Sequence, residues 1–172
     1  MVMPFLKTLL DTSAYGKIIQ EEKDIILKEK IDERKDVIIF GNQVVKRELA
    51  ETPAKIPAHL DEKEKLKRRL LELYEFLVKD HDLEITGLVT YLAEEYLKCC
   101  KEISKVGKEK LRNDFLIVAC ASFYNLDIVV SEDNRTMFSE EALKAYQKVN
   151  MKELLRTPKC ISLLEFERIL TL

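Results

Sequence analysis

The sequence predicts an α/β fold: a three-layer α/β/α sandwich with a central, mainly parallel five-stranded sheet, in a single domain over residues 1–172. Short apolar runs alternate with longer helical patterns almost throughout, which is the signature of strands joined by helical crossovers. The runs are nearly continuous, as strands covered on both faces should be. No repeat, linker or low-complexity stretch divides the chain.

Phe5–Leu10 (FLKTLL) reads as a buried first strand, and Asp11-Thr12-Ser13 after it as a helix cap. Tyr15–Lys30 reads as a helix with Ile18, Ile19, Ile26 and Leu27 turned inward. Asp36–Phe40 (DVIIF) is the second strand, and Gly41-Asn42 caps a helix over Gln43–Thr52 that Pro53 and Pro57 close. Leu60–Lys79 is the longest helical pattern, with Leu66, Leu70, Leu73, Tyr74 and Leu77 on one face and a dense mixture of charges in its first half. Leu83–Thr86 is the third strand, and a helix from about Leu88 to Ile103 follows before a boundary at Gly107. Asn113–Asn134 (NDFLIVACASFYNLDIVVSEDN) then reads as a buried helix, a turn at Asn125, a strand at Ile128–Val130 and a polar loop. A helix around Ser139–Lys148, a loop with Pro158, a fifth strand at Cys160–Leu163 and a helix at Leu164–Leu170 complete the chain.

Charge and composition exclude several functions. Residues are 47% hydrophobic and 35% charged, with a net charge of −2, so no global basic field draws the chain to nucleic acid and such contacts need a local patch. The apolar runs fall short of a membrane span and the N-terminus lacks a signal-peptide pattern, which points to a cytoplasmic protein without membrane contact. Cys99, Cys100, Cys120 and Cys160 match neither a zinc spacing nor a secreted disulfide framework, and read as reduced core thiols. His59 and His81 lie in charged surroundings with no Cys or His partner nearby.

The carboxylates are more informative. In a parallel sheet, ligands gather at the carboxyl ends of the strands. Asp11 directly follows the first strand and Asp133 lies just beyond the Ile128–Val130 strand. Asp114, early in the buried helix, belongs near the same rim, and Glu48 reaches it from more than one turn inside its helix. Taken singly, each has an ordinary reading: Asp11 as a cap, Glu48 as a solvated or lysine-paired charge, Asp114 as a helix-dipole partner and Asp133 as a turn residue. Taken together they form an all-oxygen cluster that repels itself unless a cation balances it. Mg²⁺ or Mn²⁺ suits such a set, and an ion so held suits hydrolysis of phosphodiesters. A phosphoacceptor receiver would need adjacent acids after the first strand, whereas Thr12 and Ser13 follow Asp11.

The ordered set LLDTS (Leu9–Ser13), VVKREL (Val44–Leu49), NDFLIVACA (Asn113–Ala121) and DIVVSED (Asp127–Asp133) resembles the PIN domain, a family of metal-dependent ribonucleases that includes the VapC-type toxins of toxin–antitoxin pairs. The resemblance runs the length of the chain. It implies an endoribonuclease in which Asp11, Glu48, Asp114 and Asp133 hold Mg²⁺ or Mn²⁺ and activate water, with Ser13 and Ser131 in support. It also implies RNA as substrate, a homodimer, and an antitoxin-type protein partner. The Leu60–Lys79 helix is longer than its counterpart in compact toxin-like members. Arg47, Arg112 and Arg135, with Lys17 and Lys46, flank the acid motifs and are the candidates for phosphate contact. The competing expectation is a catalytically silent RNA-binding or complex-assembly module that keeps the fold and some of the acids.

Overall fold

The computed structural model describes residues 5–52, 59–103 and 108–171. Five strands, β1 (Leu6–Leu10), β2 (Val37–Asn42), β3 (Asp82–Leu83), β4 (Ile128–Val130) and β5 (Lys159–Ile161), form one sheet in the order β3-β2-β1-β4-β5, and every pairing is parallel. The described helices are α1 (Thr12–Gln20), α2 (Asp24–Glu33), α3 (Gln43–Glu51), α4 (Leu60–Val78), α5 (Gly87–Ile103), α6 (Lys108–Phe123), α7 (Glu140–Lys152) and α8 (Leu163–Thr171).

Parallel crossovers, which are right-handed as a rule, divide these helices between the two faces. From β1 the chain steps to β2 and β3 on one side, and α1–α4 pack together on one face, with α8 against α2. From β3 it crosses back to β4 and β5, and α5, α6 and α7 pack on the other face. The crossover direction therefore reverses between β1 and β4, the place where open α/β sheets form a crevice. β1 sits in the middle, with Leu9 and Leu10 fully buried.

α6 explains why the central stretch is so apolar. Phe115, Ile117, Val118, Ala119, Cys120 and Ala121 are all buried, because the C-terminal half of this helix is covered on most of its sides. Small residues let α5 approach it closely, and Phe115 meets Tyr96 and Tyr146 edge to face at 6.3 and 5.5 Å. Asn125 ends the unit with a left-handed backbone (φ 54°), a conformation asparagine tolerates.

Several boundaries differ from the sequence expectation, among them the fifth strand, which lies at Lys159–Ile161 rather than Cys160–Leu163. The helix expected over Tyr15–Lys30 is two helices, broken where Glu22 takes φ 55°. The third strand lies at Asp82–Leu83 rather than Leu83–Thr86 and pairs only with Gly41 and Asn42. Gly41 belongs to β2, and the cap of α3 is Asn42 alone, whose Oδ1 accepts from the backbone N–H groups of Val44 and Val45 at 3.0 and 3.1 Å. α6 begins at Lys108, so Asp114 lies in its second turn and not at its start. Pro53, Pro57 and Gly107, expected to mark boundaries, lie outside the described residues. No disulfide joins Cys99, Cys100, Cys120 and Cys160. No helix among the described residues is long and apolar enough to cross a membrane.

Candidate active site at the sheet switch point

Asp11 is the first residue beyond β1 and the N-cap of α1, so its cap and site readings are one arrangement. Its Oδ1 accepts from the Ala14 backbone N–H at 3.0 Å and the Ser13 hydroxyl at 2.8 Å, and its Oδ2 from the Ser131 hydroxyl at 2.8 Å. Each hydroxyl is itself oriented by a backbone donor. The Glu132 N–H gives to Ser13 Oγ at 2.9 Å and the Asp133 N–H to Ser131 Oγ at 3.0 Å. Ser13 and Ser131 thus tie the ends of β1 and β4 together through one carboxylate. That network places both expected supporting residues beside Asp11.

Glu48 projects from the second turn of α3. Its two oxygens are held separately, Oε2 by the Thr12 hydroxyl at 2.6 Å and Oε1 by the Asn113 side-chain amide at 2.7 Å. The helix glutamate is thereby connected both to the end of β1 and to α6. Asp114 and Asp133 meet at a third hydroxyl: Thr136 Oγ1 lies 2.8 Å from Asp114 Oδ2 and 2.5 Å from Asp133 Oδ2. The chain therefore links the four acids in two groups, Asp11–Ser131–Asp133–Thr136–Asp114 and Thr12–Glu48–Asn113.

Electrostatics reveal the cost of this gathering. Burial raises the Asp11 carboxyl from its ordinary 3.8 to about 6, and Glu48 adds to the rise. Burial also raises Asp114, to about 7, and the nearby charges of Asp133, Asp11 and Glu48 push it further in the same direction. No ion pair among the described residues reaches Asp11, Glu48 or Asp114 to offset this. Lys17 pairs with Glu132 at 2.5 Å and Lys46 with Glu75 at 3.3 Å. Arg112 pairs with Glu94 on α5 at 3.3 Å, while Arg47 and Arg135 are exposed.

The donor set is all oxygen and anionic, which fits a hard divalent cation and not zinc. Among the described residues, however, no three His, Cys, Asp or Glu side chains stand as a formed coordination group. The acids are bridged by hydroxyls instead. Beside Ser13 a cleft of about 770 Å³ opens between α1 and α4, lined by Gly16, Lys17, Thr52, Leu66, Leu70 and Glu132.

Three of these side chains were not expected from the sequence: Thr12, Asn113 and Thr136. Thr12 and Asn113 adjoin Asp11 and Asp114 in the chain, yet both hold Glu48. Adjacency was the only signal, and it pointed at the wrong acid.

The raised carboxyls have a consequence for stability. Between their ordinary and raised values, the folded chain holds protons that the unfolded chain has released. Stability conferred at low pH is therefore lost as pH rises through about 6 and 7. Each group contributes a slope of at most about 1.4 kcal/mol per pH unit. In a metal chelator, the melting temperature is expected to fall by several degrees from about pH 4 to about pH 7, and Asp114→Asn to flatten the fall. Thermal melts across that window at fixed ionic strength check it.

No family model matches the sequence, and no curated protein matches it either. Solved structures do. VapBC2 from Rickettsia felis, bound to a DNA fragment from their promoter, is 16% identical with a TM-score of 0.58, covering 91% of this chain and 98% of that one. The fold is PIN-like. FitAB bound to an IR36 DNA fragment gives 16% identity and a TM-score of 0.57 over 91% of this chain and 94% of the other. VapBC-1 from nontypeable Haemophilus influenzae gives 14% and 0.57 over 92% and 98%. At these identities the likeness carries the PIN-like architecture, and the chemistry has to be argued from the residues.

Proposed function

We propose that the chain is a divalent-metal-dependent endoribonuclease hydrolysing RNA phosphodiester bonds. One observation carries the reading: burial raises Asp11 and Asp114, the nearby charge of Glu48 raises both further, and no ion pair among the described residues reaches Asp11, Glu48 or Asp114. Burying such groups carries a desolvation cost, and perturbed carboxyls of this kind cluster at functional sites.

Asp11, Glu48, Asp114 and Asp133 would hold Mg²⁺ or Mn²⁺. When bound, the ion neutralises the acids, polarises a phosphoryl oxygen and lowers the pKa of the attacking water. Ser13 and Ser131 keep the Asp11 oxygens turned to the rim, and Thr12 and Asn113 do the same for Glu48. The 770 Å³ cleft beside Ser13 gives a nucleotide room to lie against the rim. Exposed Arg47 and Arg135 supply phosphate contacts, and Arg112 does so by leaving Glu94. The resemblance to VapC-type toxins supports a cytoplasmic setting, a homodimer and an antitoxin-type protein partner as parts of the same proposal.

The hydroxyl-bridged acids, not assembled into a coordination group, favour a second reading as a catalytically silent RNA-binding or assembly module. The two separate in one experiment. Purified protein is incubated with end-labelled RNA in millimolar Mn²⁺, Mg²⁺ or chelator, and the same additions are followed by thermal melting. Metal-dependent cleavage with a raised melting temperature supports the nuclease. RNA binding without either result supports the module.

A further inference from the structure

Thr136 lies in the loop between β4 and α7, 9% exposed, and holds Asp133 by both oxygens: its backbone N–H gives to Oδ1 at 2.9 Å and its hydroxyl meets Oδ2 at 2.5 Å. The same hydroxyl meets Asp114 Oδ2 at 2.8 Å, on a helix that arrives from the other end of the β3–β4 crossover. The loop cannot simply drift. The Ser139 hydroxyl gives to the Thr136 carbonyl at 3.0 Å, and the Phe138 N–H gives to the Asp133 carbonyl at 2.9 Å.

A threonine hydroxyl has one proton and two lone pairs. It can donate to one carboxylate oxygen at a time, and through its two contacts it spaces the Asp114 and Asp133 carboxyls. Building on the metal-dependent reading above, we infer that Thr136 is a positioning residue: it sets the separation of Asp114 and Asp133 at which a divalent cation is captured, and is not itself a ligand. Loss of a partner that orients a metal-holding group typically weakens affinity by about 10- to 100-fold.

The test is a Mn²⁺ titration followed by melting temperature, without RNA, on wild type, Thr136→Val, Thr136→Ala, Thr136→Ser and Asp114→Asn. Thr136→Val keeps the side-chain shape and removes the hydroxyl, and Thr136→Ala removes it without any steric demand should valine misfold. Both are expected to raise the half-saturating Mn²⁺ concentration by about 10- to 100-fold, with Thr136→Ser close to wild type. The KM for RNA should stay within about twofold once Mn²⁺ saturates, because no contact with substrate is lost. The positioning role is overturned if the hydroxyl-free variants titrate as wild type does while Asp114→Asn no longer responds to Mn²⁺. If wild type itself shows no response to Mn²⁺, the metal-dependent reading fails and takes this role with it.

Discussion

Asp114→Asn is expected to lower Mn²⁺-dependent RNA cleavage by at least about 1,000-fold while leaving the protein folded. A factor of that size corresponds to roughly 4 kcal/mol of barrier, within what a bound divalent ion supplies to a reacting phosphate. The amide is nearly isosteric with the carboxyl and can still meet Thr136, but it brings no charge to a cation. Stability should move the other way. Asp114 is raised to about 7 by burial and by its acidic neighbours, so above neutrality the folded chain carries a poorly solvated charge there. In chelator at pH 8 (about one unit above that value), the variant is therefore expected to melt no lower than wild type. Cleavage and circular dichroism on the same preparation check both halves. Cleavage at the wild-type rate would remove Asp114 from the site.

Gly41→Ala is the expected fold-breaking change. A Cβ at this position would fall within 2.5 Å of Tyr74 Cζ and 2.9 Å of Cε2, and closer still to the hydroxyl. Tyr74 has nowhere to retreat. It is 1% exposed, its ring lies 5.7 Å from that of Tyr15, and its hydroxyl gives to the Asn42 carbonyl at 3.2 Å and contacts the Asp82 carboxylate. Overpacking of this kind costs about 3 kcal/mol or more, equivalent to a drop of roughly 6–12 °C in melting temperature for a chain of this size. Because Asn42 caps α3, the displacement is transmitted to the helix that carries Glu48. Gly16→Ala is the control. Nothing lies within 4 Å of its would-be Cβ, and alanine inside α1 should stabilise by about 1 kcal/mol.

The fold was readable from sequence because burial on both faces writes itself into a parallel strand as a continuous apolar run. Leu9–Leu10, Ile39 and Val129–Val130 are buried as that pattern requires. What escaped was set by tertiary context. Glu22 turns left-handed within Gln20-Glu21-Glu22-Lys23, a tetrapeptide whose composition favours continuing the helix. β3 is short because its pairing is limited to Gly41 and Asn42. The alignment of Asp11 and Asp133 at one rim follows from strand ends alone. Asp114 reaches it from the second turn of α6, where helix numbering by itself gives no height above the sheet. The hydroxyls and amide that hold the acids were unreadable for a different reason: Thr12 and Asn113 serve Glu48, 36 and 65 residues away in the chain.

The Ser131–Asp11 hydrogen bond joins residues 120 apart in sequence, across the β1–β4 pairing. Contacts of such separation form late in folding, after the entropy of closing the intervening loop has been overcome. β1, β2 and the helices between them can condense while the rest of the chain is still unstructured, but the rim they present then lacks Asp114, Ser131 and Asp133. The acidic centre therefore does not exist until β4 has paired with β1. A folding intermediate, or a chain interrupted before β4, carries no assembled centre, so the chemistry proposed for it is confined to molecules that have finished folding.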